Sequence, residues 1–105
     1  MKYFVCYTIR DKEITFSLLQ HYANFLKISG DVYIDLINNN SLDKQKRVFQ
    51  ELDQCDVLII IETKNVYNSK WVELEINRAL ELKKEIVKIS VKSILEKISN
   101  SNTFC

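Results

Sequence analysis

The chain contains no proline and a single glycine, Gly30. Glycine-rich phosphate loops of the Walker or dinucleotide type are thereby excluded, because both need several glycines close together for the backbone to approach phosphate. Histidine also occurs once, as His21, on a segment dense in core positions, and no Ser-His-Asp or Cys-His arrangement can be built around it. The three cysteines, Cys6, Cys55 and Cys105, are odd in number and scattered in spacing. A full disulfide framework and a zinc pattern are both excluded, so no metal site is expected. Cys6 and Cys55 read as small core residues and Cys105 as a tail thiol. Charge of one sign is lacking too. A net charge of +1 offers no reason to expect a nucleic acid or an acidic membrane surface as partner. No basic run is interleaved with aromatics, as a single-strand binder would require. The longest apolar run, Val57–Ile61, is far too short to cross a bilayer. Met1-Lys2-Tyr3-Phe4-Val5 enters a strand-like run with no signal-peptide pattern, so the expected location is cytoplasmic.

What is present is the mix of an ordinary globular domain. At 105 residues the chain has room for one small domain, residues 1–105, and 47% hydrophobic with 28% charged residues is enough for a packed core. Tyr3–Tyr7 reads as a strand apolar on both faces, as in the centre of a parallel sheet. Thr8-Ile9-Arg10-Asp11 forms the loop after it. About Lys12 to Ile28 reads as a helix with Ile14, Leu18, Tyr22 and Phe25 on one stripe, terminated by Gly30. Asp31–Ile37 alternates as a second strand. Asn38-Asn39-Asn40-Ser41 is a polar loop, and a helix follows to about Gln54 with Val48, Leu52 and Cys55 on one face. Val57–Ile61 is the strongest strand, and Glu62–Ser69 is a loop. A third major helix runs to about Lys84, where Lys83 and Lys84 complement its dipole. Ile86–Val91 is a fourth strand. Ser93 with Glu96 forms a capping box for a short last helix, and Asn100–Cys105 carries no clear structure.

Strands therefore alternate with helices four times. That pattern predicts an α/β, flavodoxin-like three-layer domain in strand order 2-1-3-4. Its central parallel sheet has four strands, or five if the tail supplies one, and is flanked by helices. Ligands in such sheets bind beyond the carboxyl ends of the strands, near the point where strand order reverses. The loops Thr8–Asp11 and Asp35–Ser41 flank that crevice, and the third major helix starts at the same end.

The segment Ser69-Lys70-Trp71-Val72-Glu73-Leu74-Glu75 opens that helix and contains the only Trp. Trp71 and Glu75 are one turn apart and share a face. Val72, Ile76, Ala79 and Leu80 recur at the helical period and are expected to point inward. Trp71 and Glu75 then lie at the rim of the stripe with Arg78 and Leu82. A carboxylate on a rim beside an indole is placed to line a pocket. The plainer reading is a solvated Glu75–Arg78 pair, worth ~0.2–0.5 kcal/mol.

These residues resemble a TIR (Toll/interleukin-1 receptor) domain of the bacterial kind over nearly the whole chain. Tyr3-Phe4-Val5-Cys6-Tyr7-Thr8 resembles the family's opening box, with Asp11 near the acidic position after it. Val32-Tyr33-Ile34-Asp35 resembles its second strand, and Ser69 to Glu75 its serine–tryptophan-to-glutamate pattern. The resemblance implies that Glu75 is the catalytic residue of an NAD-cleaving activity, glycohydrolase or ADP-ribosyl cyclase, in bacterial antiviral defence signalling. It implies that Tyr7, Thr8, Ile9, Arg10 and Asp35 bind the nucleotide beside Trp71. NAD would be the substrate, with no cofactor and no metal. Self-association through TIR-like contacts is implied as well, with neither nucleic acid nor membrane as partner. Relative to the family the chain is C-terminally short, and its second-strand loop has asparagines where glycine or proline is common.

Such a site needs little acid help, because nicotinamide departs as a neutral molecule. A single carboxylate can stabilise an oxocarbenium-like ribose by charge and hydrogen bonds. A Glu near its reference pKa of ~4.3 is ionised for this role at neutral pH. Arg10 could pair with the pyrophosphate or be a solvated loop cation. Asp35 could bind a ribose hydroxyl, cap the loop or face solvent. Trp71 could pack to orient its helix or offer a stacking surface. Two other functions fit the same plan: a non-enzymatic TIR-like interaction module, and a nucleoside deoxyribosyltransferase-like enzyme that ignores NAD. A response-regulator receiver does not fit, because Thr8-Ile9-Arg10 stands where an acidic pair is needed and Glu62-Thr63-Lys64 where an Asp must end the third strand.

Overall fold

The computed structural model describes residues 1–38 and 42–102. Strand β1 is Lys2–Cys6, β2 Asp31–Tyr33, β3 Val57–Glu62 and β4 Glu85–Ser90. Helix α1 is Phe16–Leu26, α2 Asp35–Asn38, α3 Lys44–Gln54, α4 Lys70–Glu81 and α5 Val91–Asn102. A 3₁₀ turn, Val66–Asn68, precedes α4. All strand pairs are parallel and the order is β2-β1-β3-β4, as the alternation predicts. The described sheet has four strands. Residues 39–41 of the expected polar loop, and Cys105, lie outside the described residues.

Pleat parity sorts the core into two layers. Val5, Val57, Ile59, Ile61 and Ile89 pack against Leu18, Leu19 and Tyr22 of α1 and Ile94 of α5. On the other face Phe4, Cys6, Leu58 and Ile60 pack against Val48 and Leu52 of α3 and Val72 and Ala79 of α4. A β1 residue therefore commits its side chain to one layer or the other. Val5 faces the α1 layer, and Cys6, the last residue of β1, faces the α4 layer.

Several local expectations give way to specific polar groups. Helix α1 starts at Phe16 and not near Lys12, because the Thr15 hydroxyl accepts from Leu18 N at 3.1 Å and caps the helix there. It is eleven residues long and ends at Leu26, ahead of Gly30. Gly30 is needed for space, because a Cβ there would collide with the Met1 carbonyl, which accepts from Asp31 N at 2.9 Å. Strand β2 stops at Tyr33 instead of Ile37. Asn38 Oδ1 accepts from Ile34 N at 2.8 Å, and Asn38 N returns to Ile34 O at 2.8 Å, closing the helical turn α2. Asn38 is thus the end of α2 and not part of a loop. The expected Ser93–Glu96 capping box does not form. Ser90 Oγ accepts from Ser93 N at 3.1 Å, so α5 begins at Val91 and is twelve residues long.

Helix α4 ends at Glu81, short of Lys84. Lys83 N donates to Leu80 O at 3.1 Å and Lys84 N to Ala79 O at 2.9 Å, the reciprocal pair of a Schellman terminus. This puts Lys83 at φ 57°, a region where a Cβ is strained. Lys84 Nζ donates to Asp53 O at 2.8 Å, so that cation serves the end of α3 and not, as expected, the end of its own helix. Lys83→Gly is expected to stabilise the fold by about 0.5–1 kcal/mol, read as a higher urea midpoint at unchanged slope. An unchanged or lower midpoint would count against the strain.

Candidate active site

The carboxyl end of β1 meets α4 in the layer formed by α3 and α4, and Glu75 is the charged residue placed there. Ser69 sets where the helix begins, its hydroxyl accepting from Val72 N at 3.3 Å. From that start the inward face carries Val72, Glu75 and Ala79, with Ile76 partly buried. Leu80, expected inside, is 59% exposed. The true stripe is rotated toward Trp71 by roughly 50°, about half of one residue's step around the helix, which puts the carboxylate where an apolar side chain would ordinarily go. Glu75 is 4% exposed and so lies within the core rather than on its rim. The Glu75–Arg78 pair does not form. Arg78 instead grips Asp53 of α3 through Nε and Nη2, at 3.1 and 3.2 Å.

Cys6 Sγ donates to Glu75 Oε1 at 3.2 Å. Burial pushes the Glu75 carboxyl up to about 7; the Cys6 thiol and the Trp71 indole pull it back, and the negative charge of Asp35 raises it further. The ordinary carboxylate range expected from the sequence therefore does not hold here. Burial and the adjoining carboxylate also raise the Cys6 thiol well above its usual value. Trp71 is partly buried, packed on the Phe4–Leu58–Val72 layer.

Tyr7 follows on from Cys6 and is half-buried. Its hydroxyl oxygen accepts from Leu36 N at 3.0 Å, which ties the start of α2 to the end of β1. Burial pushes its phenol up to about 12, with Asp35 and Glu75 adding to the rise. The Asp35 carboxylate accepts from Tyr33 OH at 3.2 Å. Tyr7, Asp35, Trp71 and Glu75 thus gather around one point, from three separate segments. Thr8 is buried, and its hydroxyl oxygen accepts from Arg10 N at 3.3 Å, closing a tight turn after the strand. Ile9 is 69% exposed. Arg10 Nη1 donates to Asn68 O at 3.2 Å, so its guanidinium is held by the turn before α4 and not by the Glu75 carboxylate.

Two residues that the sequence reading names without counting them among the site residues help build the site. Asp11, buried in the same loop, accepts from Asn65 N at 2.9 Å and from Asn65 Nδ2 at 2.8 Å. The nearby Thr63 hydroxyl, although without a well-formed hydrogen bond, and the Asn65 donors hold the Asp11 carboxyl below the usual range. Asp11 therefore fastens the loop after β1 to the loop after β3. The second is Cys6, which reads as a small core residue. Its position as the final residue of β1, beside the crevice that strand order predicts, is the available signal. Among the described residues no group of three His, Cys, Asp or Glu could hold a metal ion, and no helix is long and apolar enough to cross a membrane.

A family model described as Thoeris protein ThsB, TIR-like domain, matches residues 4–95. The match runs from β1 into α5 and includes every candidate site residue. None of the curated proteins matches the chain.

Proposed function

The chain belongs to the TIR-like domain family of the Thoeris protein ThsB, and on that basis we propose that it cleaves the nicotinamide glycosidic bond of NAD in antiviral defence signalling. The reaction is glycohydrolysis or ADP-ribosyl cyclisation. The observation that carries this reading is Glu75, a carboxylate 4% exposed, one turn after Trp71, at the end of β1. A buried charge is costly unless something uses or neutralises it, and such residues cluster at functional sites. Nicotinamide carries positive charge while bound to ribose, and bond cleavage moves that charge onto the sugar. A carboxylate in a low-dielectric layer stabilises that charge far more strongly than one in water. Substrate and carboxylate also suit each other in protonation, because a carboxyl that titrates near 7 is largely ionised just above neutral pH, where its charge can meet the one developing on the ribose.

The remaining groups take supporting roles in this proposal. Asp35, steadied by Tyr33, accepts from a ribose hydroxyl, and Tyr7 and Thr8 shape the wall beyond β1. Arg10 is a phosphate partner only if it leaves the Asn68 carbonyl. Trp71 orients α4 and presents an edge of its indole to the site. Self-association through TIR-like contacts and a cytoplasmic location complete the proposal.

The test is NAD consumption by the purified protein at high concentration, followed by liquid chromatography. Release of nicotinamide with ADP-ribose or a cyclic isomer is expected. Protein that releases none even at high concentration and under crowding overturns the reading. The burial of Glu75 favours one alternative, a non-enzymatic module in which the carboxylate is sealed inside the fold. Concentration-dependent sedimentation without nicotinamide release would select it.

A further inference from the structure

The proposed reaction assigns no role to Cys6, although its thiol is in direct contact with the Glu75 carboxylate. Resting on the reading of Glu75 as the catalytic residue, we infer that Cys6 is a positioning residue. Its thiol donates to Glu75 Oε1, holds the carboxylate in one orientation at the end of β1 and favours its ionised form.

The geometry leaves the thiol little freedom. Cys6 is fully buried, and β1 is paired on both sides, with Cys6 in register with Ile60 of β3. Pleat parity directs Sγ into the α4 layer, because the preceding Val5 points to the other one. At 3.2 Å the Sγ–Oε1 separation is short for a sulfur donor. The thiol stays protonated across the working range, so it donates to the carboxylate and never opposes it as a thiolate. The groups facing Glu75 come from three segments: Cys6 of β1 with Tyr7 directly after it, Asp35 of α2, and Trp71 of its own helix. Cys6 and Trp71 favour the charged carboxylate and Asp35 opposes it, with Cys6 the larger of the two favourable contacts.

A thiol is a weak donor. It fixes the rotamer of Glu75 without cancelling the cost of burying its charge. The carboxylate therefore remains near the point of titration and responds to a cation arriving beside it. A hydroxyl at the same place would be a stronger donor and would lower that point.

The test follows the Glu75 side-chain carboxyl by carbon NMR across pH, with the resonance assigned by its loss in Glu75→Gln. Cys6→Ala and Cys6→Val are expected to raise the titration midpoint by about half a pH unit or more. Cys6→Ser is expected to bring it back to the wild-type value or below. The acidic limb of the pH–rate profile should move with the midpoint, while KM stays nearly constant. An unmoved midpoint in a folded apolar variant overturns the inference. Should neither apolar variant fold, Cys6→Ser decides alone, and a midpoint above the wild type's overturns it. The titration needs no NAD, so the two readings fail separately. A shifted midpoint in a protein that cleaves no NAD keeps the thiol's positioning role and rejects the activity. NAD cleavage with an unmoved midpoint does the reverse.

Discussion

On the proposed activity, Glu75→Gln is expected to lower nicotinamide release by about a thousandfold or more, with KM changed by no more than a few-fold. The substitution keeps the size and shape of the side chain. Gln Oε1 can still accept from Cys6, so the layer between β1 and α4 remains packed. Only the charge is lost. A neutral amide interacts with the ground-state substrate nearly as well as a carboxylate does, but cannot balance the charge that develops on the ribose as nicotinamide leaves. The deficit should therefore fall on kcat. For the wild type, kcat/KM is expected to rise with pH and level off above about 7, because the proposed mechanism requires the free protein to lose the Glu75 proton. The Gln variant has no such limb. Steady-state kinetics by chromatography from pH 5 to 9 reads both effects, and a variant with full activity would remove Glu75 from the chemistry.

The same carboxylate shows where the sequence is legible and where it is not. The strands and their order follow from local pattern. Val57–Ile61 is β-branched and apolar on both faces, which only a central strand uses, and the alternation with helices then leaves few topologies. The helix over Trp71 is equally plain. Its inward face is not, because reading a stripe means treating apolar residues as inside and carboxylates as outside. That assumption centres the face on Val72, Ile76, Ala79 and Leu80. The fold centres it on Val72, Glu75 and Ala79, and Leu80 is turned out. The failure falls at the proposed catalytic residue, as expected where local rules are broken for function. Element ends escape the pattern for a different reason. Thr15, Asn38, Ser90 and Lys83 each stop or start an element through a hydrogen bond or a left-handed residue, and periodicity does not register such atoms.

If Glu75 titrates near 7, folding stability must carry the mark of it. The native pKa of about 7 lies above the ordinary 4.5, so the direction follows from which state releases its proton first. Below 4.5 both states hold the proton and the native state loses nothing. Between 4.5 and about 7 the unfolded chain ionises while the native one does not, so stability falls as pH rises. Above that window both are ionised and the loss is complete, at about 3 kcal/mol for a shift of this size. Asp11 contributes with the opposite sign, losing stability as pH drops below its ordinary 3.8, but it is present in both proteins and cancels in a difference. Glu75→Gln cannot ionise. The variant should thus gain on the wild type across this window and be more stable at pH 8 by up to about 3 kcal/mol, or roughly 12–20 °C in Tm for a domain of this size. Urea unfolding of both proteins at pH 4, 6 and 8 measures the difference, and a flat difference curve would mean that the Glu75 carboxyl titrates in the fold as it does in the unfolded chain. A variant that loses turnover and gains stability at alkaline pH ties both effects to one cause, a charge kept inside the fold at a cost to stability because the reaction needs it there.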